Sequence, residues 1–144
     1  MSTSVDLTRF VTAQEDAGTY TSALRELRAG RKTSHWMWFV FPQVAGLGRS
    51  ETARFYALSG LDEARAYLAH PTLGPRLVEC ADTLAALSTS DPVAVFGTVD
   101  AMKLKSSMTL FAHAAQTDEQ RAPFHAVLDR YFGGAEDPET VRRI

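Results

Sequence analysis

The segment His35–Gln43, HWMWFVFPQ, concentrates aromatic side chains more than any other part of the chain. No single face of a helix or strand can bury all of its rings, so some of them must line a groove or stay partly exposed. Trp36 and Trp38 suit a pocket wall, because tryptophan buries a large apolar body while its indole N–H requires a partner. The competing interpretation, which aromatic clusters in general favour, is a central core in which His35 and Gln43 fix loop backbone.

A second segment, KLKSSMTLF at 103–111, could bind an anion. On a helix, Lys103, Ser106 and Ser107 share one side, opposite a core-facing side. A lysine one turn before two hydroxyls can hold a phosphate or carboxylate. The glycine-rich stretch of a phosphate loop is missing before the lysine. The alternative is favoured when the segment is taken alone: the hydroxyls bond to the preceding helical turn and the lysine is solvated.

Cationic side chains precede the aromatic segment, at Arg31 and Lys32. Their alternative role is a solvated helix end that complements the helix dipole. An anion that carries a stackable ring would nevertheless find both halves of its site close together. If such a ligand is hydrolysed, Glu26 or His35 would be the first acid or base to consider.

The familiar catalytic and metal-binding motifs are missing from the sequence. It has no G-x-S-x-G elbow, no H-E-x-x-H, no paired Cys-x-x-Cys and no G-x-G-x-x-G. The four histidines stand singly, and the one cysteine, Cys80, falls on an apolar helical stripe. We therefore predict no metal and no cofactor.

Length and composition are those of one compact domain, residues 1–144. Hydrophobic residues make up 45% of the chain and charged residues 22%. Fifteen basic and seventeen acidic residues give a net charge of −2, short of the basic excess of a nucleic-acid binder. No apolar run could span a membrane, and the N-terminus does not resemble a signal peptide. A cytoplasmic location is expected.

Helical periodicity dominates the elements that must position these side chains. Apolar residues recur at helical spacing through most of the chain, and the longest stripe follows Pro71. Ser50, Asp91 and Asp137 are typical helix starts, and Ser59 resembles a capping-box residue. Strand-like alternation is nearly absent, with one short β-favouring run at 38–41. The pattern predicts an all-α fold of seven or eight helices, either an irregular bundle or a short solenoid-like stack.

Four ordered motifs carry a resemblance over nearly the whole chain: RAGRKTSHWMWFVFPQVAGLG, YLAHPTLGPRL, KLKSSMTLF and YFGG. They resemble the bacterial family filed as domain of unknown function eighteen-ten, and most closely its mycobacterial and other actinobacterial members. The resemblance implies a small all-helical domain with armadillo-like packing and no established activity. The label calpastatin, which some members have carried, does not apply because nothing here is similar to a disordered inhibitor repeat. The family motifs fall on His35, Trp36, Trp38, Phe41, Pro42, Gln43, Gly46, Gly48, Lys103, Ser106, Ser107 and Thr109.

The leading hypothesis is a ligand-binding protein, with catalysis left open, whose pocket lies between the aromatic segment and the 103–111 helix. Its ligand would be small, anionic and ring-bearing, such as a nucleotide or an ADP-ribose-like molecule. The second hypothesis is a non-catalytic helical module that recognises a protein partner through a groove. Neither hypothesis involves nucleic acid or a membrane. The predicted ligand-binding residues are Arg31, Lys32, His35, Trp36, Trp38, Gln43, Lys103, Ser106, Ser107 and Thr109.

Overall fold

A computed structural model describes residues 6–144, and this part of the chain is all-α as predicted. Its one β feature is an isolated bridge between Val44 and Leu58. Ten α-helices are formed in the described residues, more than the seven or eight predicted. They are α1 (Thr8–Glu15), α2 (Thr19–Arg28), α3 (Met37–Val40), α4 (Glu51–Phe55), α5 (Leu61–Ala69), α6 (Leu73–Ala85), α7 (Pro92–Phe96), α8 (Thr98–Ala114), α9 (Asp118–Phe132) and α10 (Pro138–Arg143), with a 3₁₀ turn at Asp16–Gly18.

The predicted helix count was too low partly because α3 falls in the run that favours β structure. Met37–Val40 form one helical turn, and Phe41 leaves it with φ −125° and ψ 74°. Pro42 disfavours helical backbone in the residue before it, so the turn ends there. β-branched and aromatic side chains favour strands, but in so short a segment the burial of these side chains outweighs that preference.

Most of the predicted helix starts are confirmed by side-chain caps. Ser50, Asp91 and Asp137 each accept a backbone N–H from the first turn of α4, α7 and α10, at 3.0–3.2 Å. Ser59 does not cap a helix, because Gly60 is the N-cap of α5 and the helix begins at Leu61. The backbone N–H of Ser59 instead donates to the Glu63 carboxylate at 3.1 Å.

Two helix pairs form the centre of the fold. α5 packs on α6 and α8 packs on α9, while α5 also contacts α8 and α6 also contacts α9. At Gly74, a Cβ would lie 2.1 Å from the Leu68 carbonyl oxygen, so glycine is what lets α6 approach the end of α5. α2 covers α6, and both α7 and α10 pack on α8. Buried apolar side chains from α1–α3 and α5–α9 belong to one core cluster.

The central position of α8 changes how its sequence must be interpreted. We expected one core-facing side and one polar side, but Ser107 and Leu110 on the predicted polar side are as fully buried as Met108. Helices pack on α8 from several directions, and the buried hydroxyls of Ser106 and Thr109 find their partners inside the protein.

Neither a membrane-spanning helix nor a metal-binding group occurs in residues 6–144. No helix described there is both long and apolar enough to cross a bilayer. No group of three or more His, Cys, Asp or Glu side chains in the same part of the chain is arranged to hold a metal ion.

Candidate functional site

The loop that leads from α2 into the aromatic segment is organised by one carboxylate, Glu26. Its Oε1 accepts hydrogen bonds from the backbone N–H groups of Thr33 at 2.7 Å and Ser34 at 3.0 Å. The same oxygen accepts the indole N–H of Trp36 at 3.0 Å, and Oε2 accepts the Ser34 hydroxyl. Desolvation acts to raise the pKa of Glu26, but these hydrogen bonds outweigh it and lower the pKa to about 2. A carboxyl so strongly ionised holds the loop in place and has no proton to donate at neutral pH.

The two tryptophans of the aromatic segment occupy different environments. Trp36 is completely buried and packs against Phe41 and Phe96, with ring centroids 6.2 and 6.4 Å away. It therefore belongs to the core, and the prediction that it stacks on a ligand does not suit this structure. Trp38, two residues further, is only half-buried.

Trp38 forms one wall of a cleft of about 490 Å³ between α3 and α4. Phe39, Phe55 and Tyr56 supply further aromatic surface, and Glu51 lies at the same cleft. Phe55 is 58% exposed, which is unusual for so large an apolar side chain. Phe55 and Tyr56 were not predicted to belong to this cleft, because nothing in the local sequence indicated that α4 would lie beside the tryptophan segment.

A pair of lysines lies beside the tryptophans and shares one carboxylate, that of Asp100. Lys32 Nζ lies 2.8 Å from Asp100 Oδ2, and Lys103 Nζ lies 3.6 Å from Asp100 Oδ1. Each ammonium group also lies over an indole: Lys32 Nζ is 5.1 Å from the Trp36 ring and Lys103 Nζ is 4.9 Å from the Trp38 ring. The fold thus brings lysines from two distant segments to one place, where two positive charges face one negative charge.

Asp100 is the site residue that sequence reasoning missed. It lies in the first turn of α8, three residues before Lys103, a spacing that places both side chains on one helix face. This spacing is the feature of the sequence from which Asp100 could have been predicted. Nothing in the sequence indicated that Lys32, although predicted to bind the ligand, would pair with Asp100 from the loop after α2.

Two of the hydroxyls predicted to bind a ligand on α8 hold α10 in place instead. The Ser106 hydroxyl donates to Asp137 Oδ2 at 2.8 Å, and the Thr109 hydroxyl accepts the backbone N–H of Asp137 at 2.9 Å. Thr140 donates to the same Oδ2 at 2.6 Å. Burial acts to raise the pKa of Asp137, but the hydrogen bonds from Thr140 and Ser106 lower it overall. Ser106 and Thr109 are buried, so in this structure their predicted ligand contacts are replaced by internal ones.

The remaining predicted residues are dispersed. Ser107 is completely buried, and its hydroxyl has no hydrogen-bond partner among the described residues. Arg31 and His35 are exposed and flank Lys32 and Trp36 in the chain. Gln43 is half-buried, and its backbone carbonyl accepts the Leu58 N–H at 2.9 Å beside the Val44–Leu58 bridge. The part of the predicted site that comes together is therefore Lys32, Lys103 and Trp38.

Comparison with known proteins places the chain in a family. The sequence model described as protein of unknown function (DUF1810) matches residues 4–144. The crystal structure of the conserved hypothetical protein Rv1873 from Mycobacterium tuberculosis is similar, with 51% sequence identity and a TM-score of 0.89. The alignment covers 95% of this chain and 94% of that protein. No curated protein matches the chain. The chain is a member of the DUF1810 family, as its four motifs predicted.

Proposed function

We propose that this protein binds a small anionic ligand that carries an aromatic ring, of the nucleotide or ADP-ribose-like class. The ring occupies the cleft beside Trp38, and the anionic group is held by Lys103. Arg31 and His35, both exposed, would add further polar contacts to the ligand. Catalysis is not required by this proposal.

The observation that carries the proposal is a group of three charged side chains, with one positive charge in excess, whose Lys103 contacts the Trp38 ring at an aromatic cleft. Lys32 and Lys103 have one carboxylate between them, so the three side chains carry a net charge of +1. Lys103 contacts the Trp38 ring that lines the cleft, which places the charge next to the stacking surface. A cleft of about 490 Å³ is in the size range of small-molecule sites.

The aromatic walls support a flat ring as the other half of the ligand. The Phe39 and Tyr56 rings lie 5.3 Å apart, and the Phe55 and Tyr56 rings lie 4.8 Å apart. Together with Trp38 they line the cleft, where a heterocyclic base could stack. Stacking of a base on such side chains contributes about 1–3 kcal/mol in other proteins.

The test is calorimetric titration with AMP, ADP-ribose and the uncharged nucleoside adenosine. We expect AMP or ADP-ribose to bind, and adenosine to bind more weakly because it lacks the anion. Lys103→Ala should weaken binding about 10–100-fold, since a charged hydrogen bond contributes roughly 1.5–3 kcal/mol. Trp38→Ala should weaken binding of all three compounds, because each carries the ring.

Lys105→Ala is the matched control. Lys105 is two residues further along α8, and its ammonium group lies over Phe132, 5.9 Å from the ring, away from the Trp38 cleft. The variant should bind as the wild type does. The proposal fails if no compound gives a binding signal, or if Lys103→Ala and Lys105→Ala have equal effects; the protein-interaction module would then be the better hypothesis.

A further inference from the structure

The lysine pair is asymmetric, and the asymmetry bears on which anions the site accepts. Lys32 has only 8% of its side chain exposed, whereas 23% of the Lys103 side chain is exposed. The Lys32–Asp100 contact of 2.8 Å is a close ion pair, whereas the Lys103–Asp100 distance is 3.6 Å. Asp100 is thus the fixed partner of Lys32 and only a loose partner of Lys103.

Lys32 cannot give up Asp100 at low cost. A buried ammonium group that loses its counter-ion bears the full cost of desolvation. Its backbone is also fixed, because the Lys32 N–H donates to the Val95 carbonyl at 2.8 Å. An incoming anion therefore finds Lys103 available while Asp100 stays in place beside it.

We infer that Asp100 determines the charge of the ligand, so that the site selects a phosphate with one negative charge over a phosphate with two. The inference rests on the proposed function, whose site it refines. One negative charge on Lys103 neutralises the net +1 of Lys32, Asp100 and Lys103. A second negative charge on the ligand would have no unpaired cation among these three side chains, and the Asp100 carboxylate would repel it.

The chemical class that fits is a nucleotide whose phosphate is internal. A phosphodiester or a pyrophosphate linkage carries one charge per phosphate, whereas a terminal phosphate monoester carries close to two at pH 7.5, because its second pKa is about 6. Two like charges several ångströms apart near a protein surface repel by roughly 1–2 kcal/mol at an effective dielectric constant between that of protein and water. Such a repulsion corresponds to about a tenfold difference in affinity.

The test compares two ligands in each protein: cyclic AMP, with a singly charged phosphodiester, and AMP, with a monoester. The quantity measured is the ratio of the two dissociation constants at pH 7.5. We expect Asp100→Asn to shift this ratio about tenfold in favour of AMP, and Asp100→Glu, which keeps the charge, to leave it near the wild-type value. Asp62→Asn is the matched control, since it makes the same change of net charge on a fully exposed side chain of α5.

Both dissociation constants are measured with the same protein preparation, so partial unfolding of a variant changes both by the same factor and leaves their ratio unchanged. An unchanged ratio in Asp100→Asn, or an equal shift in Asp62→Asn, would overturn the role of Asp100. That result would leave the proposed function standing, provided that the wild type binds either nucleotide and Lys103→Ala does not. If the wild type binds neither compound, the proposed function itself is wrong and this inference falls with it.

Discussion

Replacing Glu26 with glutamine should destabilise the protein at neutral pH, and the loss should fade in acid. The variant keeps the shape of the side chain but removes the charge that accepts hydrogen bonds from Thr33, Ser34 and Trp36. It also places an amide N–H₂ where only acceptors are useful. The loop that carries Lys32 towards Asp100 should therefore be held less firmly.

The magnitude follows from the pKa. A value lowered from 4.5 to about 2 corresponds to about 3 kcal/mol of unfolding free energy at pH 7, at about 1.4 kcal/mol per pH unit. Glu26 is partly exposed, and solvent screening reduces this to about 2 kcal/mol. Because the folded-state pKa is lowered, the stabilisation is complete above about pH 5 and is lost as the pH falls from 4.5 towards 2. At pH 3 less than half of it should remain.

Urea unfolding followed by tryptophan fluorescence measures the effect directly. The difference in unfolding free energy between wild type and Glu26→Gln should be about 2 kcal/mol at pH 7 and below about 1 kcal/mol at pH 3. Glu119→Gln, an exposed glutamate in the first turn of α9, serves as the control and should cost about 0.5 kcal/mol or less. A difference below about 0.5 kcal/mol at pH 7, or one that is the same at both pH values, would refute the assigned role of Glu26.

Three further substitutions test the packing around α8 and α6. Asp137→Ala should cost about 2 kcal/mol in urea unfolding, since it removes the cap of α10 and the carboxylate to which Ser106 and Thr140 donate; a cost below about 0.5 kcal/mol would contradict this. Gly74→Ala should lower the melting temperature through its contact with the Leu68 carbonyl, at a cost of about 2 kcal/mol, and an unchanged melting curve would contradict the close approach. Ser107→Ala should not lower the melting temperature, because its buried hydroxyl has no partner to lose, and a loss above about 1 kcal/mol would show that the hydroxyl is bonded.

The fold class could be predicted because it depends on local signals. Helical periodicity and the caps at Ser50, Asp91 and Asp137 act over three or four residues, and all are realised. The α3 turn was missed because four residues are too few to show a period. The burial of α8 on several sides was also missed, since it depends on helices that approach from distant parts of the chain.

The candidate site could be predicted only for residues whose chemical type restricts the environments that they can occupy. A lysine side chain is nearly always charged, so Lys32 and Lys103 each need an anion or water as a partner. Both lie beside the Asp100 carboxylate. Trp36 and Trp38 are the same residue type, so residue type alone could not show which ring would be buried. Their different environments follow from Glu26, ten residues before Trp36, which accepts the Trp36 indole N–H. Apart from the Glu26 carboxylate on α2, nothing in the local sequence determines which of the two rings is buried.

The hydroxyls of the 103–111 segment show why a motif can be recognised correctly and still be misassigned. Ser106 and Thr109 were grouped with Lys103 as an anion site, and Ser106 does bind an anion, the Asp137 carboxylate, whereas Thr109 accepts the backbone N–H of Asp137. The chemistry inferred from the residue types was therefore sound, but the partner belongs to the chain. An internal carboxylate satisfies a hydroxyl as well as a ligand does, so hydroxyls alone cannot mark a binding site. The proposed site depends instead on Lys103, whose only ion-pair partner in the described residues, Asp100, also pairs with Lys32 at a shorter distance.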